Sequence, residues 1–459
     1  MYEPPRPTSI AAIASLLRVA MRGDGDLLSL LPAKAYRVDA GWLGYSRRSI
    51  LIVNAPELLR DVLTDPLDIF PKNDLMVGAL EPLVGNSIFV SSGTVWRRQR
   101  RMIEPSFSHM RLNKAFASMS AAVDDYEARL DELAVNGGRF SLDLAMSHLT
   151  ADIICRTVFS TSLRSQTAVD VFEAFTVFER TCAQVELRRL IFDPPFVDIP
   201  QHEAVLAACE RIRHHLGDLV DTHLPGGPGS WDDIAAEIIE ARDVDTDAGF
   251  SRKELLDQLG VMFLAGHETT ASALTWAFFV ISMQPTLMQR IRDEVQAVAG
   301  DGPLELEHVR RMTLVRNVFR ESMRLYPPIP FIPRVAAEAA TIGRHRVKKG
   351  AMIMIAPWTI HRHRDYWHNP HAFDPDRFSA EREHELVQGT YLPFGLGPRT
   401  CVGAGFATLE ATLILARLAR RYDLRVHDPH KVRPVARLTI RPEKQLMASV
   451  MRRGAARTA

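Results

Sequence analysis

The stretch SRKELLDQLGVMFLAGHETTASALTWAFFVISMQP, Ser251 to Pro285, runs without a proline until its last residue. Ser251 and Glu254 have capping-box spacing at its start, so a single uninterrupted helix is expected. At 1.5 Å per residue that helix is on the order of 50 Å long, enough to cross a whole domain. Its centre is polar: Gly266, His267, Glu268, Thr269 and Thr270 sit between the apolar runs VMFLA and ASALTWAFF. Glycine costs about 1 kcal/mol relative to alanine in a helix, and a buried carboxylate costs more unless it is partnered. One reading is a local opening of the helix for a ligand or for proton traffic, since an acid beside an alcohol can deliver protons. The other is a kink satisfied by hydroxyl-to-backbone hydrogen bonds. The segment alone leaves both open.

Around this helix the pattern stays helical over about 95–325 and again over 402–421. A β-rich portion is expected over about 36–54 and 330–360, with further strands at the C-terminus. Residues 56–65 read as a helix with proline at its first position, and 361–400 as a long loop. Strands, many helices and strands again describe a mainly α fold with a smaller β part (α+β), not an alternating parallel α/β fold. No linker divides the chain, so residues 1–459 are expected to form one domain. The net charge of +1 argues against a nucleic-acid binder. Cys155, Cys182, Cys209 and Cys401 are dispersed without paired spacing, which suits a reducing compartment. Ile10–Met21 is apolar but short and interrupted by Arg18, so it is expected to be a packed amphipathic helix and not a membrane anchor. A cytoplasmic protein is expected.

FGLGPRTCVG, residues 394–403, places one thiol in a glycine-rich turn immediately before an apolar helical pattern. A nucleotide turn would want no sulfur, a disulfide would want a partner, and zinc would want further ligands nearby. Trp96 and Arg100 lie one helical turn apart and could offer indole N–H and guanidinium to one carboxylate, although a solvated basic face reads the same way. Glu321 and Arg324 have ion-pair spacing that also occurs elsewhere in the chain. What separates them is the proline-rich stop that follows, and Arg377 downstream could complete a buried cluster.

Five segments in this order resemble the cytochrome P-450 haem-thiolate monooxygenases. They are W-x-x-x-R at Trp96 and Arg100, A-G-x-E-T-T at 265–270, E-x-x-R at 321–324, P-x-R-F at 375–378 and F-x-x-G-x-R-x-C-x-G at 394–403. The resemblance implies a P-450 fold holding haem b, with Cys401 as the axial iron ligand in its thiolate form. Phe394 would shield the sulfur, Gly397 would permit the tight turn, and Gly403 would let backbone approach the porphyrin. Trp96, Arg100 and Arg399 would bind the propionates, with Arg334 a further candidate. Ala265 and Gly266 would leave space over the iron. Thr269 would hydrogen-bond the oxygen being activated, and Glu268 would relay protons. Glu321, Arg324 and Arg377 would be structural.

The implied reaction inserts one atom of O₂ into a lipophilic substrate, by hydroxylation or epoxidation, with electrons from NAD(P)H. Those electrons would arrive through a separate ferredoxin and its reductase, docking near Arg97, Arg98 and Arg101. A peroxide-driven peroxygenase and a non-catalytic haem protein are the rival readings. Leu75, Met76, Leu83 and Val84, in a variable loop before Trp96, would touch substrate. Val261, Met262, Ile329, Phe331 and Leu438 would complete the pocket.

Overall fold

The structure, a computed structural model, describes residues 2–9, 11, 26–43, 48–65, 68–164, 166–182, 192–224 and 231–454. The short helix expected over Ile10–Met21 lies outside these residues but for Ala11. The main helices are α1 (Pro56–Leu63), α2 (Asp74–Val84), α3 (Gly93–Ile103), α4 (His109–Val135), α5 (Leu142–Phe159) and α6 (Gln166–Cys182). They continue as α7 (Glu203–His223), α8 (Arg252–Ser282), α9 (Pro285–Ala299), α10 (Thr313–Leu325) and α11 (Ala404–Arg421). The α8 capping box forms as its spacing predicts, with Ser251 and Glu254 each answering the other's backbone N–H. Helix α8 is buried nearly all round, as a helix in the middle of a large core must be. It packs most extensively along α5, and also against α2, α7, α10 and α11.

Short strands frame this helical body. The largest sheet has the order β1 (Ala40–Leu43), β2 (Ile50–Val53), β7 (Met352–Ile355), β4 (Ile332–Val335). In it β2 and β7 run parallel with Leu51 opposite Ile353, and β4 runs antiparallel to β7 with Ile332 opposite Ile355. Strands β3 (Arg139–Ser141), β11 (Met447–Arg452) and β8 (Tyr422–Val426) form a second sheet. Two pairs complete the set: β5 (Ala340–Ile342) with β6 (His345–Val347), and β9 (Pro434–Ala436) with β10 (Ile440–Pro442). The Ile440 carbonyl accepts from Ser272 Oγ at 2.7 Å and Trp276 Nε1 at 2.9 Å, which fastens β10 to α8.

Two local expectations change. The segment 350–360 is strand only over Met352–Ile355, because Pro357 opens a helical turn. Residues Leu75 to Val84, expected in a variable loop, form α2, whose start is capped by the Asn73 side chain.

Candidate active site

The glycine-rich turn and α11 hold Cys401 at the wall of a large internal cavity. The Cys401 N–H donates to the Phe394 carbonyl at 2.9 Å, closing the loop on itself. Gly397 has φ +76°, and a Cβ there would lie 2.9 Å from the Leu63 carbonyl oxygen, so both conformation and space demand glycine. Gly403 is different: a Cβ there would meet Cys401 Sγ only at 3.9 Å, so protein packing does not require it. Burial raises the Cys401 pKa, while the Gly403 N–H and the Arg100 charge pull it back toward the thiolate. Arg100 Nη1 donates to the Thr400 carbonyl at 2.6 Å, tying α3 to the residue before the thiol.

Beside the thiol the cavity wall turns cationic, with Lys72, Arg100, Arg334 and Arg399. Arg399 stacks over the Trp96 ring at 4.3 Å and donates to the Ser91 carbonyl at 3.0 Å. Its Nη2 is buried without a hydrogen-bond partner. Among the described residues the Arg334 side chain donates only to its neighbour's carbonyl, that of Pro333, at 3.1 Å. Burial, reinforced by Arg399, pushes Arg334 down to about 10; burial also brings Arg399 to about 10, with Arg97 adding and Asp68 opposing. Lys72 falls well below its usual value through burial and the charges of Arg334 and Arg399. Its ammonium donates to the Phe89 carbonyl, and its backbone bridges to Arg334. A buried set of cations with an orphaned donor is a receptor for an anionic group. Sequence reasoning missed Lys72, a lone lysine in PKND with no periodicity to mark it.

The centre of α8 lines the same cavity, and its backbone is not opened at the polar stretch. The helix is unbroken from Arg252 to Ser282. Thr269 Oγ1 donates to the Ala265 carbonyl at 2.7 Å, and His267 Nδ1 bonds the Phe263 carbonyl at 2.8 Å. Hydroxyl-to-backbone bonding satisfies the stretch without opening it. Glu268 is buried, yet it is fully partnered. Arg441 Nε donates to its Oε1 at 2.8 Å, Arg441 Nη2 pairs with its Oε2, and Thr439 Oγ1 donates at 2.5 Å. Arg441 and its hydrogen bonds hold the Glu268 pKa below the ordinary carboxyl value against the opposing effect of burial.

Gly266 lines the cavity beside Ala265, and its size is limited by Ile154, which lines the same cavity. A Cβ there would sit 2.4 Å from Ile154 Cδ1 on α5. Gly266→Ala therefore sets an overpacking cost of about 1–3 kcal/mol against a helix-propensity gain of about 1 kcal/mol, and a net loss of about 1 kcal/mol is expected in urea unfolding. Ile154→Ala in the same chain should recover part of the loss, and equal stability of Gly266→Ala and the parent would refute the clash.

Behind the thiol loop, Glu321 and Arg324 are completely buried in a paired geometry of 2.7 and 2.8 Å. Arg377 Nε adds 3.1 Å to Glu321 Oε1, and the Asp374 N–H adds 2.9 Å. Arg324 also donates to the carbonyls of His361, Pro370 and Ala372 at 2.7–2.9 Å. His361, which sequence reading passed over, accepts from the Leu392 N–H at 2.8 Å and so ties the same cluster to the start of the thiol loop.

Of the expected substrate residues, Met76, Val261, Met262, Ile329, Phe331 and Leu438 line the cavity. Three others do not. Leu83 and Val84 are fully buried in the main core, and Leu75 packs against the large sheet, because α2 turns only one face inward. The basic run on α3 is also not the unpartnered face it resembled. Arg97 pairs with Asp68 at 3.1 Å, Arg98 with Asp243 at 3.2 Å and Glu254 at 2.7 Å, and Arg101 with Asp245 at 2.6 Å.

A thiol, a facing polar helix centre, a cation cradle and an apolar remainder share one cavity. The family model for cytochrome P450 matches residues 4–449. The chain is 30% identical over 428 residues to cyclooctatin synthase of Streptomyces melanosporofaciens, covering 93% of this chain and 89% of that protein. It is 27% identical over 396 residues to pentalenene oxygenase of Streptomyces avermitilis, covering 85% of each. The crystal structure of a cytochrome P450 haem domain, P450DA, superposes with a TM-score of 0.80 at 23% identity, covering 90% of each chain. The chain belongs to the cytochrome P450 family. It is a P450 monooxygenase with haem as its cofactor. No single described helix is long and apolar enough to cross a membrane.

Proposed function

We propose that the chain, as one P-450 domain, oxygenates a lipophilic terpenoid-like hydrocarbon by hydroxylation or epoxidation. What carries the reading is the single cavity that joins the Cys401 thiol, Thr269 and a wall of aliphatic and aromatic side chains. On the substrate side its lining includes Met76, Ile154, Val158, Val261, Phe331 and Leu438. The cations of the cavity gather instead at the Trp96 end, so a carboxylate anchor for a fatty acid is missing from the described substrate wall. Two similar proteins support the class by what they act on: pentalenene oxygenase, and the cyclooctat-9-en-7-ol 5-monooxygenase of Streptomyces melanosporofaciens, 30% identical over 403 residues.

In this reading Cys401 binds the haem iron, and Lys72, Arg100, Arg334 and Arg399 hold the propionates with Trp96. Phe394 shields the sulfur, and Gly403 gives the porphyrin room. The bound haem supplies oxygen activation. Ala265 and Gly266 keep the roof low. Thr269, whose own proton is given to Ala265, offers its oxygen lone pairs to the cavity as an acceptor. Glu268 supplies protons from the helix centre. Glu321, Arg324 and Arg377 hold the haem-side loop. Electrons come from NAD(P)H through a separate reductase and ferredoxin that meet the α3 face, where Arg97 and Arg101 remain about half exposed. The dispersed cysteines fit a cytoplasmic setting, and Cys155, Cys209 and Cys401 are unpaired.

A panel of cyclic terpene hydrocarbons and fatty acids tests the reading through the spin-state shift of the ferric protein. Terpenes should shift the spectrum and couple NADPH use to product with surrogate ferredoxin. Tighter and better-coupled fatty acids would overturn the substrate class.

A further inference from the structure

Glu268 does not meet Arg441 alone. Glu179 on α6 approaches the same guanidinium, with Oε1 3.7 Å from Arg441 Nε. Two carboxyl groups thus face one buried cation, whose Nη2 also donates to Ser147 Oγ at 2.9 Å. The two acids differ in their access to water. The Glu268 side chain is 1% exposed, while that of Glu179 is 17% exposed. We infer that Glu179 and Glu268 hold one proton between them, and that Glu179 is the group through which protons enter the centre of α8 from solvent. The inference rests on the reading of Glu268 as the proton supplier.

The charge balance of the cluster supports it. Arg441 compensates one carboxylate, and a second negative charge in so buried a place would be offset only weakly, by Arg437. Burial first, then the Glu268 charge, pushes Glu179 up to about 8, with Arg441 and Arg437 opposing. The other groups facing the cluster leave this balance intact. His267, beside Glu268 on α8, is lowered by burial and so favours its neutral form. Asp143, at the start of α5, acts on Arg441 by raising its pKa. Thr439 donates to Glu268 and adds no charge. At neutral pH the shared proton therefore resides on Glu179, the acid nearer water, and Glu268 stays an anion. The two carboxyl groups are hydrogen-bonded to each other, and in the transfer the Glu179 O–H bond breaks as a Glu268 O–H bond forms along that contact. Glu179 then takes a replacement proton from water, and Glu268 passes its own into the cavity it lines. No electron moves.

Infrared titration of the resting holoprotein reads the shared proton without turnover. The parent should show a protonated-carboxyl band that disappears with a midpoint near pH 8, and Glu179→Gln should lack it. Glu410 supplies an internal marker, because complete burial pushes its pKa well above the usual carboxyl value against the opposing Thr270 hydrogen bond. Its band should persist across the same range. In turnover, Glu179→Gln is expected to slow the oxygen-driven reaction on the order of tenfold and to raise its solvent deuterium isotope effect, with Glu179→Asp restoring part of the rate. A titrating band that survives in Glu179→Gln overturns the inference. If Glu268→Gln uncouples the enzyme while Glu179→Gln turns over normally, the inlet fails and the role of Glu268 stands. If Glu268→Gln leaves coupling unchanged, the role of Glu268 fails and the inlet falls with it.

Discussion

Cys401→Ala is expected to abolish the red-shifted band of the reduced carbon monoxide complex and to bring NAD(P)H-dependent oxygenation below detection. Among the described residues Cys401 is the only cysteine on the cavity wall. The substitution removes little else. The loop is closed by the Cys401 backbone N–H to the Phe394 carbonyl, and by Arg100 to the Thr400 carbonyl, and neither bond uses the sulfur. The variant should therefore fold, and its Lys72, Arg334 and Arg399 cradle should still retain part of the cofactor. What it loses is the electron-rich axial donor that favours O–O cleavage. A Cys401→Ala protein that kept the thiolate band would remove Cys401 from the iron.

Glu321→Ala should instead act on stability, by about 3–5 kcal/mol, because it strands buried charge. Among the described residues Glu321 alone forms an ion pair with Arg324 and Arg377, and all three side chains are at most 4% exposed. Removing it leaves two guanidiniums facing each other with only carbonyl partners, and it deprives the Asp374 N–H of its acceptor. The damage should reach the thiol loop, since Arg324 and His361 together hold the segment that leads into it. Urea unfolding of purified holoprotein should show the loss as a lower midpoint with little change in slope. A midpoint within error of the parent would refute the structural role. Loss of cofactor oxidation with unchanged stability would refute it equally.

The features legible in the sequence were those set by local pattern. The capping box, the proline-free run of α8 and the glycine-dense turn at 394–403 each depend on neighbours a few residues away. The partners of Glu268 were not legible, because Arg441 comes from a short strand far along the chain and Thr439 is the residue just before that strand. A trace of the signal exists in Arg441 itself, an arginine between Ile440 and Pro442 in a buried strand. Lys72 left no trace, since only folding sets it against Arg334 and Arg399. The misplaced Leu83 and Val84 show a second limit: apolar side chains that line a cavity and those that fill a core have the same composition. The polar centre of α8 was ambiguous for a physical reason. Side-chain back-bonding and helix opening call for the same residue types, and only the observed Thr269-to-Ala265 bond separates them.

The cation cradle also bears on how the folded chain is maintained. Lys72, Arg334 and Arg399 each have a lower pKa in the folded chain than in the unfolded one. The unfolded chain therefore binds more protons, and the apoprotein gains stability as pH climbs through the lowered values toward the unfolded ones. Below that window the three groups repel one another, and the cost falls on the folded state. An anionic prosthetic group seated between them cancels the repulsion, and by binding only the folded chain it adds stability through mass action. Haem loading is therefore expected to protect the folded chain from proteolysis, which timed digestion of the haem-free and haem-loaded protein would check.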